Sequence, residues 1–221
     1  MQKKKILFVI LVLLCLLFNG VNAQTVKDID GNSYLITTIG TQVWMAENLK
    51  TTKFNDGTTI PLVTDKIAWT ALKTPGYCWF GNEVESKEVY GALYNWYATN
   101  TKKLCPKGWH VPADSEWTIL MTFLGDPNTI GNKLREEGNA HWENSLGTND
   151  FGFTALPGGL RQNTGVFPIF GHSYAVWWTA TEYNVIQAWN RGLHFSSSKA
   201  FKGFDFKASG FSVRCIRDQT K

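Results

Sequence analysis

Cysteine is scarce in this chain of 221 residues, which has four in all: Cys15, Cys78, Cys105 and Cys215. None stands in a Cys-x-x-Cys pair, and His110, His141, His172 and His194 show no i, i+3 or i+4 spacing, so no zinc pattern is present. The sequence also lacks a Gly-x-Ser-x-Gly elbow and a glycine loop of the phosphate-cradling kind, which removes two common signatures of hydrolases and nucleotide-binding enzymes. No repeat, linker or low-complexity stretch divides it. An excess of one charge is missing too. The formal net charge is +4, but three of the positive charges are Lys3, Lys4 and Lys5 at the N-terminus, which leaves about +1 beyond them. A concentrated basic face of the kind that binds nucleic acid is therefore not expected.

Those three lysines precede an unbroken apolar run over residues 6–18, followed by Val21-Asn22-Ala23. This is the pattern of a secretory signal peptide over residues 1–23, too short and wrongly flanked for a membrane span. Cys15 follows Leu13-Leu14, where a lipoprotein cleavage site would want a small residue. Removing 23 residues leaves 198, read as one exported domain over 24–221 with no membrane span, destined for the periplasm, the cell surface or the medium. At 14% aromatic with ten tryptophans, the chain has ample apolar area for a single core.

The most constrained stretch is Cys105-Pro106-Lys107-Gly108-Trp109-His110-Val111-Pro112, a rigid corner because proline fixes φ and glycine opens conformations that a Cβ forbids. Directly after it, Trp117, Leu120, Met121 and Leu124 form one apolar helical face that stops at Gly125-Asp126-Pro127. Residues 91–98 read as a second helix. Strand patterns fall at 34–39, 42–49, 77–80, 175–181, 188–195 and 211–217. Three cysteines remain after export and allow three pairings. Cys105 with Cys215 is favoured, since both lie in constrained stretches and joining the corner to the C-terminal strand removes the most unfolded-state freedom. Cys78 is then a small buried hydrophobe.

Residues 105–117 and 210–215, with Tyr-Gly-Ala-Leu-Tyr-Asn-Trp-Tyr-Ala at 90–98 and Gly-Phe-Thr-Ala-Leu-Pro-Gly-Gly at 152–159, closely resemble the Fibrobacter succinogenes major paralogous domain. The resemblance covers nearly all of the chain after residue 25. It implies an α+β fold of the C-type-lectin-like and formylglycine-generating-enzyme kind, with two main helices on short, mostly antiparallel strands with long loops. The family pattern places threonine or serine after Pro112 as a helix cap. Here Ala113 stands there, and a one-residue shift would hand the role to Asp114.

The oxidases of that fold use a cysteine pair, and Cys215 has no second cysteine close upstream, so no catalytic residue is assigned. No cofactor is implied. The clusters Asn55-Asp56, Asn149-Asp150 and Glu182-Tyr183-Asn184 are of the oxygen-rich type that calcium takes, and equally of the type that makes turns. The Glu-Pro-Asn, Gln-Pro-Asp and Trp-Asn-Asp calcium motifs of lectin domains do not occur. The candidate binding surface is Trp177, Trp178, Glu182, Asn184, Trp189 and Arg191, because adjacent tryptophans in a strand face opposite ways and, if one is core, the other is presented outward; the competing reading, which the resemblance favours, buries both under the following loop. The expectation is a non-catalytic surface module for a glycan or protein ligand. The alternatives are a degenerate enzyme of the formylglycine-generating type and a structural envelope protein.

Overall fold

The computed structural model describes residues 24–143, 146–169 and 171–219, and the proposed export segment at 1–23 lies outside them. Three antiparallel sheets carry the architecture. Strands β1 (Thr25–Lys27), β2 (Ser33–Ile39), β3 (Gln42–Met45), β6 (Trp109–His110) and β11 (Ile216–Arg217) form the first, in the order 1-2-3-11-6. The second places β5 (Leu93–Asn95) between β10 (Gly210–Phe211) and β4 (Tyr77–Cys78). The third is a meander of β7 (Tyr174–Glu182), β8 (Gln187–His194) and β9 (Ala200–Phe206). The helices α1 (Lys66–Ala71), α2 (Ser86–Tyr90), α3 (Trp96–Thr99), α4 (Asp114–Leu124) and α5 (Ile130–Leu134) are short. None of the described helices is long and apolar enough to cross a membrane.

This corrects the expected α+β arrangement with two main helices: the described chain is mostly β, and among the described helices only α4 exceeds six residues. The second expected helix, over 91–98, is instead β5 followed by the single turn of α3, with the Asn95 side chain accepting from the Ala98 N–H at 3.1 Å. A short apolar run suits a buried strand as well as a helix, and tertiary pairing settles it. Gly91 has φ 74°, and a Cβ there would lie 2.8 Å from the Leu49 carbonyl oxygen. The chain turns at that point into pairing with β4 and β10. The expected strand over 211–217 is likewise divided between β10 and β11, and β8 pairs with β7 on one side and β9 on the other.

The helix α4 buries Trp117, Leu120 and Leu124 against Trp44, Phe153 and Trp177, with Trp44 and Trp117 ring centroids 4.8 Å apart. Ala113 is its N-cap and supplies no side-chain oxygen. Glu116 reaches back to the Ala113 N–H at 2.8 Å, half of a capping box. Asp114 does not take over as cap. Its own N–H donates to Thr181 Oγ1 of β7 at 3.0 Å, so the meander finishes what the local sequence leaves open.

Cys105 and Cys215 form the disulfide, Cα atoms 6.0 Å apart, within the larger core that also holds Tyr34, Tyr94, Trp178 and Phe211. Three buried arginines hold the loops, none with an ion-pair partner among the described residues. Arg161 donates to the carbonyls of Val63, Thr64 and Gly165 while stacking 4.4 Å over Trp69. Arg135 donates to the carbonyls of His194 and Ser197. Arg214 donates to the Phe153 carbonyl and Asn48 Oδ1 and lies 4.1 Å over Phe153, and burial lowers its pKa to about 9. Guanidinium donors matched to several carbonyls make such burial tolerable.

Candidate functional site

The meander β7-β8-β9 decides where the candidate residues go. Trp177 and Trp178 point to opposite faces, as a strand requires, yet both are buried. Trp177 packs under α4 and donates its indole N–H to Asn48 Oδ1 at 2.8 Å. Trp178 faces the other core, 4.3 Å from the Phe211 ring, and donates to the Tyr94 carbonyl at 2.9 Å. The expectation that one of them is presented outward is therefore corrected. Alternation assigns the faces, but this strand has a core on each side.

The face that carries Trp177 continues along the sheet past the end of α4 and into solvent. In register, Trp177 lies beside Arg191, Arg191 beside Lys202, and Trp189 beside Phe204. Tyr183, in the turn after β7, stacks on Phe204 with centroids 4.2 Å apart and planes 11° from parallel. Trp189 stands edge-on to Tyr183 at 4.7 Å. Tyr183 is 43% exposed and Phe204 46%, each with one ring face turned away from the other. Trp189 is half-buried beneath Lys202, whose amine sits 3.9 Å from its centroid. Trp189 is thus a support, and the Tyr183–Phe204 pair is the platform.

Charge is organised beside this strip. The Asp114 carboxylate accepts from Arg191 Nε at 2.8 Å and from Lys202 Nζ at 2.8 Å, so two cations share one anion. They line one wall of a groove of about 430 Å³ closed by Thr118, Met121, Ile130 and Ala200. Glu182 is exposed and pairs with Lys207 at 3.2 Å. Asn184 is spent on the turn, its Oδ1 accepting from the N–H groups of Ile186 and Gln187. Of the six candidate residues, then, Trp189 and Arg191 share the open face, Glu182 and Asn184 flank it, and Trp177 and Trp178 are core. Sequence reasoning missed Phe204 and Lys202 as surface residues. Their signal was the alternation Phe201-Lys202-Gly203-Phe204-Asp205-Phe206.

Other chemistry-bearing residues have structural partners. Cys78 is the free cysteine among the described residues, fully buried, and burial pushes its thiol up to about 12 against the opposing pull of Arg161. Asp56 accepts from the Thr58 N–H within its turn and pairs with the distant Lys103, and Asn149 accepts from the Thr154 N–H. Among the described residues no group of three or more His, Cys, Asp or Glu side chains converges as a metal-ligand set. His110 bridges Glu116 (Nε2, 2.9 Å) and Asp218 (Nδ1, 2.6 Å), tying α4 to the segment after β11. The Glu116 hydrogen bond, resisted by burial and helped by Asp218, raises the His110 pKa to about 9.

No curated protein and no solved structure matches the chain. The Fibrobacter succinogenes major domain matches residues 37–217, from within β2 to the end of β11, and so takes in the disulfide, α4 and the whole meander. The chain belongs to the Fibrobacter succinogenes major domain family.

Proposed function

We propose that this protein is an exported, non-catalytic binding module that takes a glycan on the Tyr183–Phe204 platform. Export rests on the lysine-led apolar segment at the N-terminus. The observation that carries the binding reading is a stacked pair of half-exposed rings, Phe204 on β9 and Tyr183 in the turn that ends β7, with Trp189 of β8 edge-on to Tyr183. The C–H face of a sugar ring lies flat on such a surface, and polar groups at the rim orient it. Glu182, next to Tyr183 in the chain, and Lys202, over Trp189, supply rim charges. The sheet supplies rigidity, so little ordering entropy opposes binding.

The test is calorimetric binding of the chain from Gln24 onward to a panel of polysaccharides, with and without a chelator. Tyr183→Ala and Phe204→Ala are each expected to weaken a hit by at least about tenfold, the cost of losing one well-placed aromatic contact. Chelation is expected to leave the hit unchanged. Silence across the panel, or a hit that survives both substitutions, overturns the reading.

A further inference from the structure

Strand β9 is the edge of its sheet: β8 pairs with it from Gln187 opposite Phe206 to Leu193 opposite Ala200, and no described strand pairs on its other side. The Lys207 N–H donates to the Ile186 carbonyl at 3.0 Å. Alternate residues of an antiparallel strand direct their N–H and C=O groups to opposite sides. Phe201, Gly203 and Asp205 therefore face β8, and Ala200, Lys202, Phe204 and Phe206 face outward. At Phe206 both outward groups are already taken. Its N–H donates to Asp205 Oδ1 at 2.7 Å, and its carbonyl accepts from the Ser209 N–H at 2.8 Å.

Ala200, Lys202 and Phe204 have no such plug among the described residues. The usual guards of an edge are missing as well: β9 has no proline and no bulge against β8. Its lysine does not guard either. Lys202 is drawn back over Trp189 and bound to Asp114, which leaves the backbone beside it open.

We propose that β9 pairs antiparallel with β9 of a second copy of this chain, about a two-fold axis at Gly203. The choice of register follows from what is free and what is charged. An axis at Lys202 sets lysine directly opposite lysine, which is destabilising. An axis at Phe204 sets Lys202 against Phe206, whose backbone groups are occupied. An axis at Phe201 sets Lys202 against Ala200 and leaves Phe204 outside the free edge. The axis at Gly203 sets Lys202 opposite Phe204 of the second copy, twice over, for four backbone hydrogen bonds with no like charges opposed. It also brings glycine opposite glycine at the closest approach of the two strands.

The two meanders then form one six-stranded sheet with both outer faces on the same side. If the platform binds a glycan, the dimer presents two platforms side by side and gains avidity from a repeating chain. That consequence rests on the proposed function. The pairing does not, and it is measured without ligand. So narrow a contact makes a reversible dimer, not a permanent one.

Sedimentation equilibrium of the chain from Gln24 onward, from about 10 μM to about 1 mM, reads the association directly across the range of a weak dimer. Two substitutions at one exposed site test the register. Phe204→Lys places lysine opposite Lys202 and is expected to weaken the dimer by on the order of tenfold or more, whereas Phe204→Glu places a carboxylate there and is expected to stay within about threefold of the parent. Far-ultraviolet circular dichroism checks that both remain folded. A monomer at every concentration overturns the proposal. So does a dimer that both substitutions impair equally, which would point to face-on contact of the aromatic strips, or one that neither impairs.

Discussion

Replacing both Cys105 and Cys215 by alanine tests how much of this fold depends on their cross-link. The bond joins residues 110 positions apart, and the loop it closes contains α4, α5 and the whole meander. In the loop-entropy picture a closed loop of that size removes about 5 kcal/mol from the unfolded state at 25 °C. A domain of this length commonly has about 5–15 kcal/mol in total, so the variant should sit near the limit of folding. Both residues are buried, and alanine leaves no unpaired polar atom behind. Neighbouring backbone contacts stay: Met45 N–H to the Cys215 carbonyl at 3.0 Å, and Asn55 Nδ2 to the Cys105 carbonyl at 2.9 Å. Urea unfolding followed by tryptophan fluorescence measures the difference. The expected result is a loss of roughly 4–5 kcal/mol with a larger m-value, because the uncrosslinked unfolded chain exposes more surface. A loss under about 1 kcal/mol with an unchanged m-value would refute the reasoning, since the unfolded chain would then gain nothing from release of the loop.

Arg214→Met should destabilise by about 3 kcal/mol, because the Phe153 carbonyl and Asn48 Oδ1 lose buried donors, and Arg214→Lys should not restore the loss, since a single ammonium cannot reach both. Thermal unfolding of both variants measures it, and full rescue by lysine would contradict the account. For His110, the folded pKa of about 9 lies above the ordinary value of 6.5. Its contribution is therefore fully present below about pH 6.5 and is lost as pH rises through about 9. With the imidazole 39% exposed, screening reduces this to about 1 kcal/mol. Urea midpoints taken across pH 6 to 10 should fall over that window in the parent and stay flat in His110→Gln, and a parallel fall in both would assign the effect to another group.

Individual elements were legible where their signals are local or nearly so, whereas the expected α+β class with two main helices was overturned. The face Trp117, Leu120, Leu124 is a periodicity, and α4 occupies the stretch in which it falls. The β2-β3 hairpin falls on two of the strand patterns, 34–39 and 42–49, with Gly40 at φ 60° between them. The Cys105–Cys215 pair followed from the rigidity of both stretches and the cost of a long open loop. Residues 91–98 were misread because four or five apolar residues suit a helix and a buried strand equally, and only the places waiting between β4 and β10 decide.

By itself the sequence determined which residues alternate, which stretches are rigid and where the chain turns, since these depend on neighbours within a few positions. Only the tertiary structure decided what covers each face. Alternation placed Trp177 and Trp178 on opposite sides of β7, but α4 on one side and the core of Tyr94 and Phe211 on the other bury both. The same face becomes a surface two strands away, where α4 ends and the register sets Phe204 beside Trp189 and under Tyr183. Asp114, which a one-residue shift would have made the helix cap, is instead the shared anion of Arg191 and Lys202, cations that the distant strands β8 and β9 bring to its carboxylate. Burial and pairing are relations between segments far apart in the chain, so they exist only once the sheets have packed.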